Sequence, residues 1–257
     1  MGKVKFISIL TIGILILFIT IPFQASATPV TFSASSGLLS ASATFDIVGG
    51  NLTVTLTNTS TNDVLAPSDV LTALFFSISG DPALTKISAI IDSGSTYYFD
   101  TTSPVPVGGD VGSEWAYNNG LSMPNGATQG ISSSGLGLFG PGDRFDTSHG
   151  SNYLDFPADP DGLNYGILSA GDIITTGNAK VTGGTPLIKN SVIFTLGGLP
   201  STFALNQITS VLFQYGTGLN EPQIVVVTSV HPTPEPTTII LLGAGILGLA
   251  IWQRKKQ

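Results

Sequence analysis

The feature that most constrains the fold is a strict alternation of apolar residues and threonines over residues 52–57, within the run 51–58 that has asparagine at both ends. A period of two is typical of a β-strand that buries one face and exposes the other. A second alternating run, residues 41–48, precedes it, and Gly49 and Gly50 lie between the two. Two glycines between alternating runs predict a β-hairpin.

Several further segments have strand character. The segment 70–79 is apolar on both faces and predicts a central, buried strand. With 31 glycines and 16 prolines in 257 residues, and no amphipathic helix of ten residues or more in the middle of the chain, a helical fold is disfavoured. We therefore predict an all-β fold, a β-sandwich of jelly-roll-like type. The remaining strands are predicted at 86–91, 189–196, 208–215 and 223–230.

The segment from residue 100 to about 166 has a different composition. It is rich in Gly, Ser, Asn and Pro and poor in β-branched residues. Such composition favours long loops, here with short strands at 114–117 and 136–139. We interpret the segment as a surface or binding region rather than core.

The start of the chain has the features of a secretory signal peptide. Two lysines come first, then the uncharged, apolar residues 6–21, then the small residues Ala25 and Ala27. This order predicts a signal peptide over residues 1–27 that signal peptidase removes after Ala27. An uncleaved membrane anchor is the alternative interpretation.

The end of the chain predicts a transmembrane helix over residues 239–252. These 14 apolar residues would form a helix of about 21 Å, shorter than a bilayer core of about 30 Å. Arg254, Lys255 and Lys256 follow directly, and basic residues favour the cytoplasmic side of a membrane. The preceding domain is then expected outside the cytoplasm.

An extended, proline-rich segment precedes this apolar stretch and contains Pro234, Glu235 and Pro236. Together with the short apolar helix and the basic end, these residues resemble the PEP-CTERM sorting signal of bacterial surface proteins. The resemblance implies that the chain is a substrate of exosortase, a membrane-embedded, transpeptidase-like protease, in a Gram-negative-type envelope with exopolysaccharide. A proline-rich stalk with a permanent anchor is the alternative. The predicted parts are thus a signal peptide at 1–27, an exported domain at 28–230 and a sorting signal at 231–257.

Charge and composition exclude several functions. Residues 28–236 contain sixteen acidic and only four basic residues, a formal net charge of −12. This surface should repel nucleic acid and anionic lipid. The absence of cysteine from the sequence excludes disulfides and thiolate zinc sites.

The acidic loop Asp155–Asn164 is the best candidate for a ligand site. Asp159, Asp161 and Asn164 could supply part of a calcium shell around the turn at Gly162. Asp143 and Asp146 could join them in space. The alternative interpretation of the same residues is a solvent-exposed turn. We assign no metal or cofactor.

Aromatic and catalytic candidates are sparse. Trp115 and Tyr117 lie two residues apart, as on one face of a strand, and either stack against sugars or fill the core. Glu114, Glu221 and the lone His149 offer only weak catalytic candidates, and no nucleophile-elbow, Walker or zinc-protease motif occurs in the sequence. We therefore expect a non-enzymatic structural or adhesive protein of the extracellular polymer layer, linked to exopolysaccharide or biofilm. A carbohydrate-binding module, calcium-dependent or not, is the alternative.

Overall fold

The structure is a computed structural model, and it describes residues 28–98, 107–147, 160, 162–178, 181–182 and 185–226. Within these ranges the chain forms β-strands and short 3₁₀ turns. Among the described residues, no helix has the length and apolar character needed to span a bilayer. The predicted signal peptide, the helix at 239–252 and the sorting residues lie outside the described residues.

Five strands form the first sheet. Numbered along the whole chain, they are β1 (Val30–Ser36), β2 (Leu39–Val48), β3 (Asn51–Asn58), β5 (Thr85–Ile91) and β11 (Ser191–Gly197). Their order in the sheet is β1-β2-β3-β11-β5, and every neighbouring pair is antiparallel. The sheet therefore joins the beginning of the chain to a strand that lies far along the sequence.

The predicted hairpin between β2 and β3 is confirmed. Val48 pairs with Asn51, and the two intervening residues, Gly49 and Gly50, have φ of +59° and +82°. Positive φ at both positions is the requirement of a type I′ turn, whose twist matches that of the strands. The apolar residues of β3 are fully buried, and its threonines are half-buried on the opposite face.

The second sheet contains β4 (Leu71–Ile78), β6 (Thr96–Tyr98), β7 (Ala116–Asn119), β8 (Gln129–Ser132), β9 (Ile167–Leu168), β10 (Leu187–Lys189), β12 (Ile208–Tyr215) and β13 (Gln223–Val225). The main path runs β13-β12-β4-β9-β10-β6, while β8 pairs with both β4 and β7. Strand β4 is buried along almost its whole length, which confirms the predicted central strand. The 3₁₀ turns are Pro67–Asp69, Val107–Gly109, Pro141–Asp143 and Leu205–Gln207.

The largest hydrophobic cluster contains side chains from both sheets. Phe45 of β2 contacts Phe76 of β4 edge-on, with ring centroids 5.3 Å apart. Phe194 of β11 contacts Trp115, which precedes β7, at 4.9 Å. The all-β prediction is confirmed, with two sheets that share a core. The finer prediction of a jelly-roll-like sandwich stays a prediction.

The short strands predicted between residues 100 and 166 are partly wrong. Residues 136–139 form a turn, in which Leu138 N and Phe139 N both donate to Gly135 O. Leu136 and Gly137 have φ of +49° and +70°, a conformation that a strand does not accommodate. The other predicted strand begins two residues late, at Ala116, and β8 was not predicted.

The interpretation of this segment as surface is also wrong for much of its described part. Residues 111–117 and 129–134 are buried. The small residues here make room for neighbours. A Cβ at Gly130 would lie 2.7 Å from Cδ1 of Phe75, its partner on β4, so the Phe75 ring occupies the space that a side chain at position 130 would need. Gly130 thus serves packing, whereas Gly120, Gly126 and Gly137 of the same segment have positive φ and serve turns.

Candidate functional site

Most of the predicted site residues fall outside the described ranges. This holds for Ala25 and Ala27, for the six sorting residues and for His149. Of the acidic loop 155–164, only residues 160 and 162–164 are described, so calcium binding there stays a prediction. Among the described residues, no group of three or more His, Cys, Asp or Glu side chains is arranged to hold a metal.

Of the two aspartates proposed as additional ligands, Asp143 has a structural role in its own turn. Asp143 Oδ2 accepts a hydrogen bond from Gly140 N at 2.8 Å and so closes the 3₁₀ turn at residues 141–143. Asp146 N donates to Gly112 O at 2.8 Å. These contacts account for aspartate at 143 without a metal.

Trp115 and Tyr117 are core residues. Their exposed fractions are 0% and 4%, and Trp115 Nε1 donates to Tyr165 O at 3.2 Å. Tyr117 Oη lies 3.1 Å from Gln129 Oε1, and burial raises the pKa of the Tyr117 hydroxyl to about 12. The sugar-stacking interpretation of this pair is therefore wrong, and the core interpretation is confirmed.

The two described glutamates belong to different elements of the structure. Glu114 is 3% exposed and precedes β7 in the core region around Trp115. Glu221 closes a surface turn, where its Oε2 accepts from Thr217 N at 2.5 Å and from Gly218 N at 2.8 Å. Glu221 thus has a structural explanation in its own loop.

The structure brings together two aspartates that the sequence did not single out. Asp172 Oδ1 accepts from Val64 N at 3.2 Å, and Asp63 Oδ1 accepts from Ile173 N at 2.8 Å. Asp63 Oδ2 also accepts from the Thr176 hydroxyl. Each aspartate therefore binds the backbone next to the other, and we call Asp63 and Asp172 the aspartate clasp.

The clasp connects two loops that lie far apart in the sequence. Residues 59–70 carry the chain from β3 of the first sheet to β4 of the second, and residues 169–178 follow β9. Neighbouring contacts reinforce the junction: Ser169 Oγ donates to Asn62 O, and Asn58 Nδ2 donates to Ile167 O at 3.1 Å. A cavity of about 50 Å³ lies alongside, lined in part by Asp63 and Ser169.

The two carboxyl groups differ in their surroundings. Asp172 is 4% exposed, and its Oδ2 has no hydrogen-bond partner within the part of the chain that the structure describes. Burial, and secondarily the negative charge of Asp63, raise the pKa of Asp172. Asp63 is half-buried, and the hydrogen bonds from Thr176 and Ile173 lower its pKa. Lys189 Nζ donates to the backbone oxygen of Asp172 at 2.8 Å and partly offsets its charge.

No signal in the sequence marks the clasp, because 108 residues separate Val64 from Asp172. Each aspartate lies among turn-forming residues and is explained locally as part of a turn. Only the approach of the two loops distinguishes these aspartates from the other acidic residues.

Comparison with known proteins identifies the end of the chain. Residues 232–255 match the family model of the PEP-CTERM protein-sorting motif. No curated protein and no solved structure gives a significant match. The chain is therefore a mainly β protein that carries a C-terminal sorting signal.

That signal is the PEP-CTERM motif, as the resemblance predicted. The motif implies export, processing by exosortase and localisation at the cell surface. The match includes Pro234, Glu235 and Pro236 and, among the basic residues, Arg254 and Lys255; Lys256 follows the last matched residue.

Proposed function

We propose that this protein is a structural or adhesive component of the extracellular polymer layer, delivered there by exosortase. The observation that carries the proposal is the sorting motif at 232–255. Signal peptidase removes residues 1–27, and the helix at 239–252 holds the chain in the membrane until it is cut. Prolines 232, 234 and 236 keep the cleavage region extended, as binding in an open protease cleft requires.

The surface of the first sheet supports this role. On the face opposite the core, β1, β2 and β3 present mainly serine and threonine. Thr31 and Thr44 Oγ1 atoms lie 2.9 Å apart across β1 and β2. Such hydroxyls donate and accept hydrogen bonds and carry no charge, as contact with a neutral polysaccharide requires. We infer that the two sheets form a β-sandwich that presents this face to the polymer.

A non-enzymatic role is part of the proposal. The sequence lacks the hydrolase, nucleotide-binding and zinc-protease motifs named above. The protein would act by its position and its surface. Retention of the purified protein on the host's exopolysaccharide, without release of sugar fragments, is the result expected for an adhesive protein.

Intact mass of the protein from the native host tests the sorting step. We expect a species that begins at Thr28 and ends near Pro236, in the medium or on the surface. Replacing Pro234, Glu235 and Pro236 by alanine should leave the uncut chain in the inner membrane. A control with alanine at Thr228 and Ser229, upstream of the matched motif, should be processed normally. Normal mature mass in the triple variant would contradict the proposal.

A further inference from the structure

We propose that the aspartate clasp, Asp63 and Asp172, binds a divalent cation of the calcium class. This site differs from the acidic loop 155–164, and it goes beyond the sorting function. The cation would connect the loop that crosses between the sheets to the loop that follows β9.

The first argument is the unpartnered oxygen of Asp172. Its Oδ2 is buried without a hydrogen-bond partner among the described residues, in a side chain that is 4% exposed. A buried polar atom without a partner costs about 1–3 kcal/mol, and more when it is charged. The ammonium of Lys189 donates to the backbone oxygen of Asp172 and not to Oδ2. A positive ligand at Oδ2 would supply the missing interaction.

The second argument is the position of Asp63. Its carboxyl group lies within hydrogen-bonding reach of the Asp172 carboxyl group. Two ionised carboxylates at such a distance repel each other, and a dication between them reverses that interaction. Each Asp63 oxygen accepts one described hydrogen bond and retains a second acceptor site. Cation binding therefore requires no loss of the bonds to Ile173 and Thr176.

The third argument concerns the choice of ion. Two carboxylates from two irregular loops give an uneven set of oxygen ligands, with water to complete it. Calcium accepts such shells, whereas magnesium requires nearly ideal octahedral geometry. A site with only two charged ligands should be weak, with Kd of about 10⁻⁴–10⁻³ M, the range of extracellular calcium modules. Asp63 is half-buried rather than enclosed, so the ion can reach the site from solvent.

Thermal unfolding of the full chain in detergent, after treatment with a chelator, tests the proposal. A ligand that binds only the folded protein raises its stability with concentration. CaCl₂ at about ten times Kd should raise Tm by about 3 °C, and MgCl₂ should raise it less. Calorimetric titration with CaCl₂ should show the corresponding binding. In Asp63→Asn and Asp172→Asn, the calcium-dependent rise should disappear.

Two controls locate the site. Asp69→Asn alters a carboxylate on the same loop that accepts from Leu65 N and Ala66 N, and it should keep the calcium-dependent rise. Joint replacement of Asp159 and Asp161 by asparagine tests the acidic loop and should also keep the rise. If Asp172→Asn does not fold, Asp63→Asn at the half-buried partner still tests the site.

The proposal is overturned if calcium does not raise the wild-type Tm. It is equally overturned if both clasp variants keep the rise, or if the rise is lost in the Asp159 and Asp161 variant instead. A wild-type Tm that rises on mild acidification but not with calcium would mean that the two carboxyl groups share a proton, with no cation site.

Discussion

Gly49 and Gly50 of the β2–β3 hairpin and Gly130 of the segment 107–147 have opposite roles. In the hairpin, Gly49 and Gly50 have positive φ, and nothing lies within 4 Å of an added Cβ. In the segment, Gly130 lies on a strand against Phe75, where an added Cβ would clash. Gly49 and Gly50 allow the backbone conformation of the turn, and Gly130 leaves space for the Phe75 ring. Glycine alone therefore does not distinguish a turn from the interior, since Gly120 and Gly137 of the same segment also have positive φ.

The comparison extends to the core side chains. The hairpin contributes Phe45, which its alternating pattern places on the buried face. The segment contributes Trp115, which precedes a short strand and has no such pattern around it. Both side chains are fully buried and both contact aromatic rings. If the two regions are equally part of the core, truncation of either side chain should have a similar effect.

The largest expected effect is that of Trp115→Ala. Removal of a buried tryptophan should lower the free energy of unfolding by about 3–5 kcal/mol, because it leaves a cavity beside Phe194 and removes the bond to Tyr165 O. Phe45→Ala in the hairpin should cost a comparable amount. Chemical denaturation of the full chain measures both.

Ile87→Ala is the matched control, since that side chain is 51% exposed on β5. It should change stability by less than about 0.5 kcal/mol. A loss for Trp115→Ala as small as that of the control would mean that the segment is not core, and the comparison would fail.

The second prediction concerns Gly130→Ala. The added Cβ would lie 2.7 Å and 2.9 Å from ring carbons of Phe75 and 3.0 Å from Leu121 Cδ1. Overpacking of this kind should cost about 1–3 kcal/mol. Gly142→Ala, at a position with open space around it, should be nearly neutral in the same denaturation experiment. Equal effects of the two substitutions would remove the packing explanation for Gly130.

These two regions also show how much of the fold the sequence could predict. Strand β12 has the predicted bounds. Strand β3 was predictable from its alternation, because a strand that buries one face has apolar residues at every second position. The burial of β8 depends on pairing with β4, more than 50 residues earlier in the chain, and β7 pairs in turn with β8. No local sequence pattern indicates that a segment pairs with such a distant strand. Composition therefore suggested loops where tertiary contacts produce core.

The candidate site residues also divide into those that the sequence could predict and those that it could not. The sorting motif was predictable because its recognition depends on a contiguous stretch of sequence, residues 232–255. The aspartate clasp was not, because neither of its loops contains both carboxylates. Trp115 and Tyr117 were correctly singled out as a pair, but only the structure distinguishes burial from exposure.

The third prediction tests the conformational use of glycine. Gly50→Ala should lower the free energy of unfolding by about 1 kcal/mol, because its φ of +82° is unfavourable for a residue with a Cβ. Gly50→Asn should cost less, since asparagine tolerates positive φ better. Thermal unfolding of the two variants side by side measures the difference. If alanine were as stable as glycine here, the type I′ turn would not set the register of the hairpin.

The smallest expected effect is that of replacing a carboxylate by an amide. We expect this effect to differ between the aspartate clasp and the hairpin. The pKa of Asp172 is raised, so the folded protein holds this proton more tightly than the unfolded chain does. Its favourable contribution is complete below the unfolded pKa, near 3.8, and is lost as pH rises through the folded pKa. In chelator at pH 7, Asp172→Asn should therefore be more stable than wild type, by up to about 1 kcal/mol, because an amide can donate to Asp63. In thermal unfolding, the difference should shrink as the pH falls from 7 through the folded pKa of Asp172.

Asp63 does not reverse this trend in that window, because its pKa is lowered and its own contribution is lost only below pH 3.8. Lys189 of β10 is the basic side chain that faces Asp172, and it donates to the backbone oxygen of Asp172. The hairpin carboxylate Asp46 provides the control: it is half-buried and accepts from Ile47 N at 2.7 Å, so Asp46→Asn should not gain stability at pH 7. If the stability difference between Asp172→Asn and wild type stays constant from pH 7 down to pH 4, the effect is due to the shape of the amide rather than to its lack of charge. The contrast in charge between the clasp and the hairpin would then disappear.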